Sequence, residues 1–238
     1  MKIIYRISDG SHKKDKLPNA TKHRCLDNAL KVFADARFHV MADNCGPETM
    51  AWLRGLKLEV EPTSLGNSGS FWHAIELGAA EKPAEIVYLL EDDYLHLPGS
   101  ARAIEEGLGI ADYVSLYDHP DKYDYDVRRE RKLNPAVRDG GEATRVLLTA
   151  STHWKLTNST TMTFAATARV LHEDLGVWRR HTRTRVPTDY KAFRYLIAKR
   201  RWASAFTKRP RRLVTPIPGL ATHTELRFIS PRVDWTTV

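Results

Sequence analysis

The sequence contains few cysteines and no long apolar run. Its 238 residues include two cysteines, Cys25 and Cys45, which are too few for a disulfide framework and lack the spacing of a metal site. No stretch approaches the roughly 20 apolar residues of a membrane span, and residues 1–7 are too short and too interrupted for a signal peptide. These absences argue against a disulfide-stapled secreted domain and an integral membrane protein, so we expect a cytoplasmic protein with reduced thiols.

Internal repeats and low-complexity tracts are also lacking, and the composition does not indicate disorder. Hydrophobic residues make up 42% of the chain and charged residues 28%, as in ordinary globular proteins. The length suits one large α/β domain. Because no stretch has the character of a linker, we treat residues 1–238 as a single domain.

Positive charge is in excess and is unevenly distributed. The formal net charge is +8 and the sequence pI is about 9.5. A basic surface attracts nucleic acid, anionic lipid or phosphorylated sugars, although many basic proteins bind no polyanion. Two clusters in the C-terminal third hold much of the excess: Arg179, Arg180, Arg183 and Arg185 in the first, and Lys199, Arg200, Arg201, Lys208, Arg209, Arg211 and Arg212 in the second.

Apolar strand patterns and helical patterns alternate through the first half of the chain. This alternation predicts an α/β fold with a mostly parallel twisted sheet flanked by helices, with its parallel part at residues 1–117. Residues 118–142 are rich in charge, Pro and Gly and are predicted to form a mobile surface loop. Residues 143–238 are predicted to be a mixed half, with strands at 144–150, 153–156 and 160–165 and helices at 166–175 and 187–200.

Three consecutive acids follow a strand that is predicted to be buried on both faces. Residues 86–90 are nearly all aliphatic and lead directly into Glu91, Asp92 and Asp93. Open α/β sheets bind their ligands at the carboxyl ends of strands. Adjacent carboxylates repel one another, and a Mg²⁺ or Mn²⁺ ion that also binds a phosphate would relieve that repulsion. The alternative is an acidic turn exposed to solvent.

Other polar residues recur at the ends of the predicted strands. The first strand ends in Arg6, Ser8 and Asp9, the second in Asp43, and a small polar loop with Asn67 precedes a helix; His223 lies late in the chain. In this order the features resemble the GT-A class of nucleotide-sugar glycosyltransferases, close to family 2, with residues 91–93 in the place of the DxD motif. The first acid is Glu rather than Asp, which leaves open whether Glu91 or Asp92 faces the nucleotide.

The resemblance implies that residues 1–117 form the half that binds the nucleotide sugar and residues 143–238 the half that binds the acceptor. It also implies a metal site and a donor site. Asp93 would be the direct ligand of Mn²⁺ or Mg²⁺ and His223 a second ligand. The ion would neutralise the diphosphate leaving group of a nucleoside-diphosphate sugar, with a UDP-sugar as the first choice. The residues implied to contact the nucleotide sugar are Arg6, Ser8, Asp9, Asp43, Asn67, Glu91 and Asp92.

Transfer of a hexosyl or pentosyl group with inversion also needs a general base. By the same resemblance, Asp189 at the start of a late helix is the first candidate, and Glu173 and Asp174 are the alternatives. An acid in a first helical turn is equally favoured by the helix dipole.

Two other functions remain open from the sequence. A nucleotidyltransferase would share the sheet, the acids and the metal, but usually has a glycine-rich basic loop after the first strand, where this chain has only Gly10. A non-enzymatic nucleic-acid-binding module would account for the charge but not for the three acids. The acceptor is also open: it is a glycan, or a modified base in DNA bound by the basic C-terminal third.

Overall fold

The computed structural model describes residues 1–10, 15–18, 20–123, 137–138, 141–198 and 209–238. Strands and helices alternate through the first half, as the sequence predicts. The elements of that half are β1 (Lys2–Ser8), α1 (Lys22–Val32), β2 (Arg37–Asp43), α2 (Pro47–Gly55), β3 (Glu59–Thr63), α3 (Gly66–Ala79), β4 (Ile86–Glu91), β5 (Tyr94–His96), α4 (Ser100–Leu108) and β6 (Tyr113–Val114).

The second half adds short strands and two helices. They are β7 (Val137–Arg138), β8 (Gly141–Glu142), β9 (Val146–Leu148), β10 (His153–Leu156), β11 (Phe164–Thr167), α5 (Ala168–His181), α6 (Asp189–Ile197), β12 (Leu213–Ile217) and β13 (Ala221–His223). None of the helices in the described part of the chain is long and apolar enough to cross a bilayer.

Nine strands form one sheet in the order β3-β2-β1-β4-β11-β6-β12-β10-β9. The strands β1 to β4 are parallel to one another, and β6 is parallel to β12. The strands β9, β10 and β11 join by antiparallel pairs. The sheet is therefore parallel in its first half and mixed overall.

Helices cover both faces of this sheet, which explains why its central strands are apolar on both sides. In β1, Ile3, Tyr5 and Ile7 join the core that contains residues of α1, α2 and α4. Ile4, between them, joins the core that contains residues of α3, α5 and α6. Side chains alternate across a strand, so each face of the sheet has its own core.

Several boundaries differ from the prediction. The polar stretch before α3 was predicted to be a loop, but α3 begins at Gly66 and places Ser68 and Ser70 in a buried position. The strands β5, β7, β8, β12 and β13 were not predicted. The predicted loop at 118–142 begins with a buried Asp118 and a short 3-10 helix whose Lys122 is also buried, while residues 124–136 and 139–140 lie outside the described residues.

Part of the predicted basic cluster is not a surface patch. Arg211 is 7% exposed and donates two hydrogen bonds to Asp174, of 2.8 and 3.0 Å, and one of 2.6 Å to Glu173. Arg209 makes a bidentate pair with Asp112. These two arginines neutralise acids next to the amino ends of β6 and β12, and the buried Arg211 is not available to an anionic partner. Lys199, Arg200, Arg201 and Lys208 lie outside the described residues.

We expect Arg211→Ala to lower the free energy of unfolding by about 3–5 kcal/mol, because it leaves the buried Asp174 carboxylate without its counter-charge. Arg212→Ala is the matched control. The Arg212 side chain is exposed and its contacts with Asp112 are made by its backbone, so its loss should cost about 0.5 kcal/mol or less. Urea unfolding followed by circular dichroism measures both. Equal losses in the two variants would contradict a stabilising role of the Arg211 network.

Candidate active site

The carboxyl ends of the parallel strands bring the predicted polar residues to one edge of the sheet. The register of β1 pairs Ser8 with Asp43 of β2 and Arg6 with Glu91 of β4. Asn67 follows β3 in the first turn of α3. Because parallel strands end at a common edge, residues that are distant in the sequence become neighbours there.

Asp93 and His223 are in direct contact. The short strands β5 and β13 pair antiparallel and place His223 opposite Tyr94. His223 Nε2 lies 3.1 Å from Asp93 Oδ2, and the Thr224 amide donates to the Asp93 carbonyl at 2.8 Å. The structure therefore brings together the two side chains that the sequence analysis assigned to a metal.

The donor atoms of this pair suit a cation if two requirements are met: other oxygen atoms complete the coordination shell, and the proton of the His223 ring moves. No group of three or more His, Cys, Asp or Glu side chains that could hold a metal occurs within the described ranges, so phosphate or water oxygens would complete the shell. The Glu225 amide donates to His223 Nδ1 at 3.0 Å, so the neutral ring carries its proton on Nε2. A cation at Nε2 requires that proton to move to Nδ1 and the Glu225 amide to be released.

Arg6 is a buried cation next to the first acid. It donates to Asn67 Oδ1 at 2.9 Å and lies 3.8 Å from Glu91 Oε1. Thr163 donates to the same carboxylate at 3.4 Å. Arg6 and Asn67 are thus held together at the site, and Thr163 is a site residue that the sequence analysis missed because it falls within a predicted strand.

Lys22 is a second missed residue. Its Nζ lies 2.7 Å from Asp9 Oδ1 and 4.0 Å from Asp92 Oδ2, and the Ser8 amide donates to Asp92 at 3.2 Å. Burial raises the pKa of Asp9, but hydrogen bonds from Lys22 and from the Gly46 amide outweigh it and hold that pKa below its usual value. A lysine at the first position of α1 is unfavourable against the helix dipole. This unfavourable placement is the feature of the sequence that could have identified Lys22 as a site residue.

The carboxylate of Asp43 is fixed by hydrogen bonds from other residues of the protein. Its carboxylate accepts hydrogen bonds from Thr63 Oγ1 at 2.9 Å, the Leu65 amide at 2.6 Å and the Asn44 side chain at 2.9 Å. These contacts join β2 to the turn before α3. Asp43 therefore has a structural task, and its contact with a nucleotide remains a prediction.

Asp189 lies at the same site as the acids. It begins α6, and its Oδ1 accepts from the Tyr190 amide at 2.7 Å. Burial raises the pKa of Asp189 to about 6, and the charge of Asp189 is one of the causes that raise the pKa of Glu91. The alternative bases, Glu173 and Asp174, are instead paired with Arg211 near the opposite edge of the sheet.

Two of the acids at the end of β4 are buried enough to change their protonation. Burial is the largest cause that raises the pKa of Glu91 to about 7, and the neighbouring charge of Asp93 adds to it while Arg6 opposes it. Burial, with the charge of Asp93, also raises the pKa of Asp92 to about 6. The folded protein therefore binds protons here that an unfolded chain has already lost.

We expect Glu91→Gln to stabilise the protein at pH 8 in EDTA by on the order of 1–3 kcal/mol. The folded pKa of Glu91 lies above its unfolded value of about 4.3, so the free energy of unfolding falls as the pH rises between these two values. Thermal unfolding from pH 4 to 8 measures the effect. The gain in stability should shrink towards zero near pH 4, where Glu91 is mostly neutral in both the folded and the unfolded state. A variant that is less stable than the native protein at pH 8 would show that the ion pair of Glu91 with Arg6 outweighs the cost of burying the Glu91 charge.

No family model and no curated protein matches the sequence. Solved structures of glycosyltransferases are similar to this chain. An active-site mutant of the galactosyltransferase LgtC matches over 94% of this chain and 86% of its own, at 13% identity and a TM-score of 0.46. The glycosyltransferase GlyE of Streptococcus pneumoniae matches over 85% of this chain and 44% of its own, at 8% identity and a TM-score of 0.40.

A synthetase is similar to the same degree. The CMP:2-keto-3-deoxy-manno-octonic acid synthetase in complex with CTP matches over 74% of this chain and 78% of its own, at 12% identity and a TM-score of 0.40. A function for this chain therefore has to be argued from the residues of the site.

Proposed function

We propose that this protein is a metal-dependent glycosyltransferase that moves a sugar from a nucleoside-diphosphate sugar to a hydroxyl acceptor. The contact between Asp93 and His223 carries this proposal. The two residues come from distant parts of the chain and offer an oxygen and an imidazole nitrogen to one point at the carboxyl edge of a parallel sheet. Such a donor set suits Mn²⁺ and, less well, Mg²⁺.

The residues around this pair would bind the donor. Asp93 and His223 would hold the ion, which supplies Lewis-acid neutralisation of the diphosphate. Arg6, fixed by Asn67, adds buried positive charge on the same side, and Ser8, Asp9, Glu91 and Asp92 are proposed to contact the nucleotide and the sugar. A UDP-sugar is the proposed donor.

Asp189 is the proposed general base for transfer with inversion. With a pKa raised to about 6 by burial, it is ionised at neutral pH and still basic enough to take a proton from a hydroxyl. The acceptor oxygen would attack the anomeric carbon on the face opposite the diphosphate while its proton passes to Asp189.

A panel of UDP-, GDP-, dTDP- and CMP-sugars with Mn²⁺ tests the proposal. The right donor at 100 times its dissociation constant should stabilise the protein by about 2.7 kcal/mol in a thermal shift. EDTA should remove the shift, and slow hydrolysis of the donor should release a nucleoside diphosphate. Release of pyrophosphate from a nucleoside triphosphate and a sugar phosphate would point instead to a nucleotidyltransferase.

An acceptor that carries phosphate, such as DNA with a modified base, fits the charge of the surface next to α6 better than a neutral glycan does. Burial and the charges of Arg180 and Lys191 lower the pKa of His181, so these cations flank one ring. The His181 carbonyl accepts from the Thr188 amide at 2.9 Å, next to Asp189. Six exposed cations lie here without an ion pair to an acid in the described part of the chain: Arg179, Arg180, Arg183, Arg185, Lys191 and Arg194.

If DNA is the acceptor, the variant Arg180→Ala, Lys191→Ala, Arg194→Ala should bind a DNA duplex more weakly and with a smaller salt dependence. Each lost phosphate contact lowers the slope of log affinity against log salt by about 0.9. The control Lys31→Ala, Arg54→Ala removes exposed cations of α1 and α2. Fluorescence anisotropy across salt concentrations measures both. Equal effects of the two variants, or binding insensitive to salt, would favour a neutral glycan acceptor.

A further inference from the structure

The strand β9 is a free edge of the nine-stranded sheet. Within the described part of the chain it pairs only with β10, and no isolated bridge reaches it. The Thr149 amide donates to the Thr152 carbonyl at 3.0 Å. Because every second residue of an antiparallel strand bonds the same neighbour, Leu147 bonds β10 as well. The N–H and C=O groups of Val146 and Leu148 therefore point away from β10, towards the free edge.

The two edges of the sheet differ in how they are protected. Exposed edges can pair with another chain, and charged residues and proline at an edge hinder such pairing. At the other edge, β3 carries Glu59, Glu61 and Pro62. The strand β9 has neither a charge nor a proline, and its Val146 and Leu148 side chains are 57% and 68% exposed. The fold thus leaves β9 open to pairing.

The exposed side chains of β9 belong to a larger apolar surface. Val146 and Leu148 lie on one face of the sheet, because side chains alternate along a strand. The register places Leu148 opposite His153 of β10, and His153 opposite Ile217 of β12. Opposite residues share a face, so the exposed Ile217 extends this surface. A partner at this edge would find both unpaired backbone groups and apolar side chains.

A second copy of β9 matches this edge. In an antiparallel pair about a two-fold axis through Leu147, Val146 of one copy lies opposite Leu148 of the other. These are the residues whose N–H and C=O groups point outwards, so each such pair exchanges both backbone hydrogen bonds. Their side chains share a face and pack against each other across the axis. The edge is thus complementary to itself, as an interface with two-fold symmetry requires.

The charges at the ends of β9 favour the same register. It places Arg145 of one copy opposite Thr149 of the other. Thr149 Oγ1 donates to Glu106 Oε2 at 2.7 Å, while Arg102 donates to Glu106 Oε1 at 2.8 Å. Arg145 is exposed and makes no ion pair within the described ranges. Each Arg145 would therefore approach the Glu106 carboxylate of the other copy and share it with Arg102, which adds an attraction at both ends of the strand.

We propose that the protein forms a two-fold symmetric dimer in which β9 pairs with β9 of a second copy and joins the two sheets into one. An unrelated strand could match the outward backbone groups, but a second copy also matches the charges at both ends. The proposal does not depend on the donor, the acceptor or the metal, so it can fail or hold separately from the proposed function.

Sedimentation equilibrium of the full-length protein over a concentration series tests the dimer. The native protein should approach twice the chain mass of 27.2 kDa. Leu148→Lys puts a charge at the edge, and Val146→Pro removes an outward N–H that the monomer leaves unbonded. We expect each to weaken the dimer about tenfold or more with an unchanged circular dichroism spectrum. Val186→Lys is the control, because Val186 is 60% exposed but lies outside the strands, and this variant should dimerise like the native protein.

Arg145→Glu tests the register, because it brings like charges together at both ends of β9 and should also weaken the dimer. If Leu148→Lys fails to fold, Val146→Pro and Arg145→Glu decide. A native protein that stays at 27.2 kDa at every concentration, or that assembles beyond a dimer, would overturn the proposal. A dimer that tolerates the folded edge variants, or that Val186→Lys weakens equally, would overturn it too, because its interface would lie elsewhere.

Discussion

Replacing Asp189 with Asn is expected to lower the turnover of sugar transfer by about 10²- to 10⁴-fold and to leave the affinity for the nucleotide sugar unchanged. Asn has the shape of Asp and can still accept from the Tyr190 amide, which is 2.7 Å away. The start of α6 should therefore remain folded. Because the raised pKa shows that the folded protein disfavours the charged form of Asp189, the Asn variant should be at least as stable as the native protein at neutral pH. Steady-state kinetics and donor binding on the same preparation measure the two effects.

The pH dependence gives a second signature of this base. Burial raises the pKa of Asp189 to about 6, and the carboxylate accepts a proton only when ionised, so the native kcat should fall as the pH drops through about 6. The Asn variant should lack this acidic limb. Asp92→Asn is the control, since burial raises the pKa of Asp92 to about 6 as well, and this variant should keep the limb.

Glu173→Gln provides the comparison with the alternative bases. Glu173 pairs with Arg211 at 2.6 Å near the opposite edge of the sheet, so this variant should transfer sugar normally. If Asp189→Asn and Glu173→Gln are both fully active, the enzyme uses no base at these positions and retention of configuration becomes the better explanation.

The strand β4 and its acids could be predicted because the signal is local. Four aliphatic residues followed by three acids lie within nine positions of the chain, and burial on both faces follows from that run alone. The position of Asp189 in the first turn of α6 was predicted for a similar reason, since a Pro and a Thr beside it mark a helix start.

The contact between Asp93 and His223 could be expected only through the resemblance. Its physical cause is the pairing of β5 with β13, two strands of three residues each, and such short segments have no recognisable period in the sequence.

Net charge was a poor guide to the surface. Arg211 belongs to a cluster of basic residues in the sequence, but its partners Asp174 and Asp112 are 37 and 99 residues away. A count of charges does not distinguish a buried ion pair from an exposed patch. The exposed cations of residues 179–194 have no ion pair to an acid within the described ranges, so the proposed acceptor surface is placed on the first predicted cluster and the exposed side of α6.

Replacing Asp93 with Asn is expected to abolish the Mn²⁺-dependent part of nucleotide-sugar binding and to lower turnover by about 10²-fold or more, as loss of several kcal/mol of charge neutralisation requires. The amide oxygen of Asn can still accept from His223 Nε2–H, and the backbone contact with Thr224 is unchanged. Isothermal titration with and without Mn²⁺ measures the binding.

Stability separates this functional role from a structural one. The charge of Asp93 raises the pKa of both Glu91 and Asp92, so it repels its neighbours when no cation is bound. Asp93→Asn should therefore melt at or above the native temperature in EDTA. Asp43→Asn is the contrast, because the Asp43 carboxylate accepts from Thr63 and the Leu65 amide, and its loss should lower the melting temperature while Mn²⁺ dependence remains. An Asp93→Asn protein that melts earlier in EDTA and still binds the donor with Mn²⁺ would remove Asp93 from the metal site, because its carboxylate would then serve the fold rather than the cation.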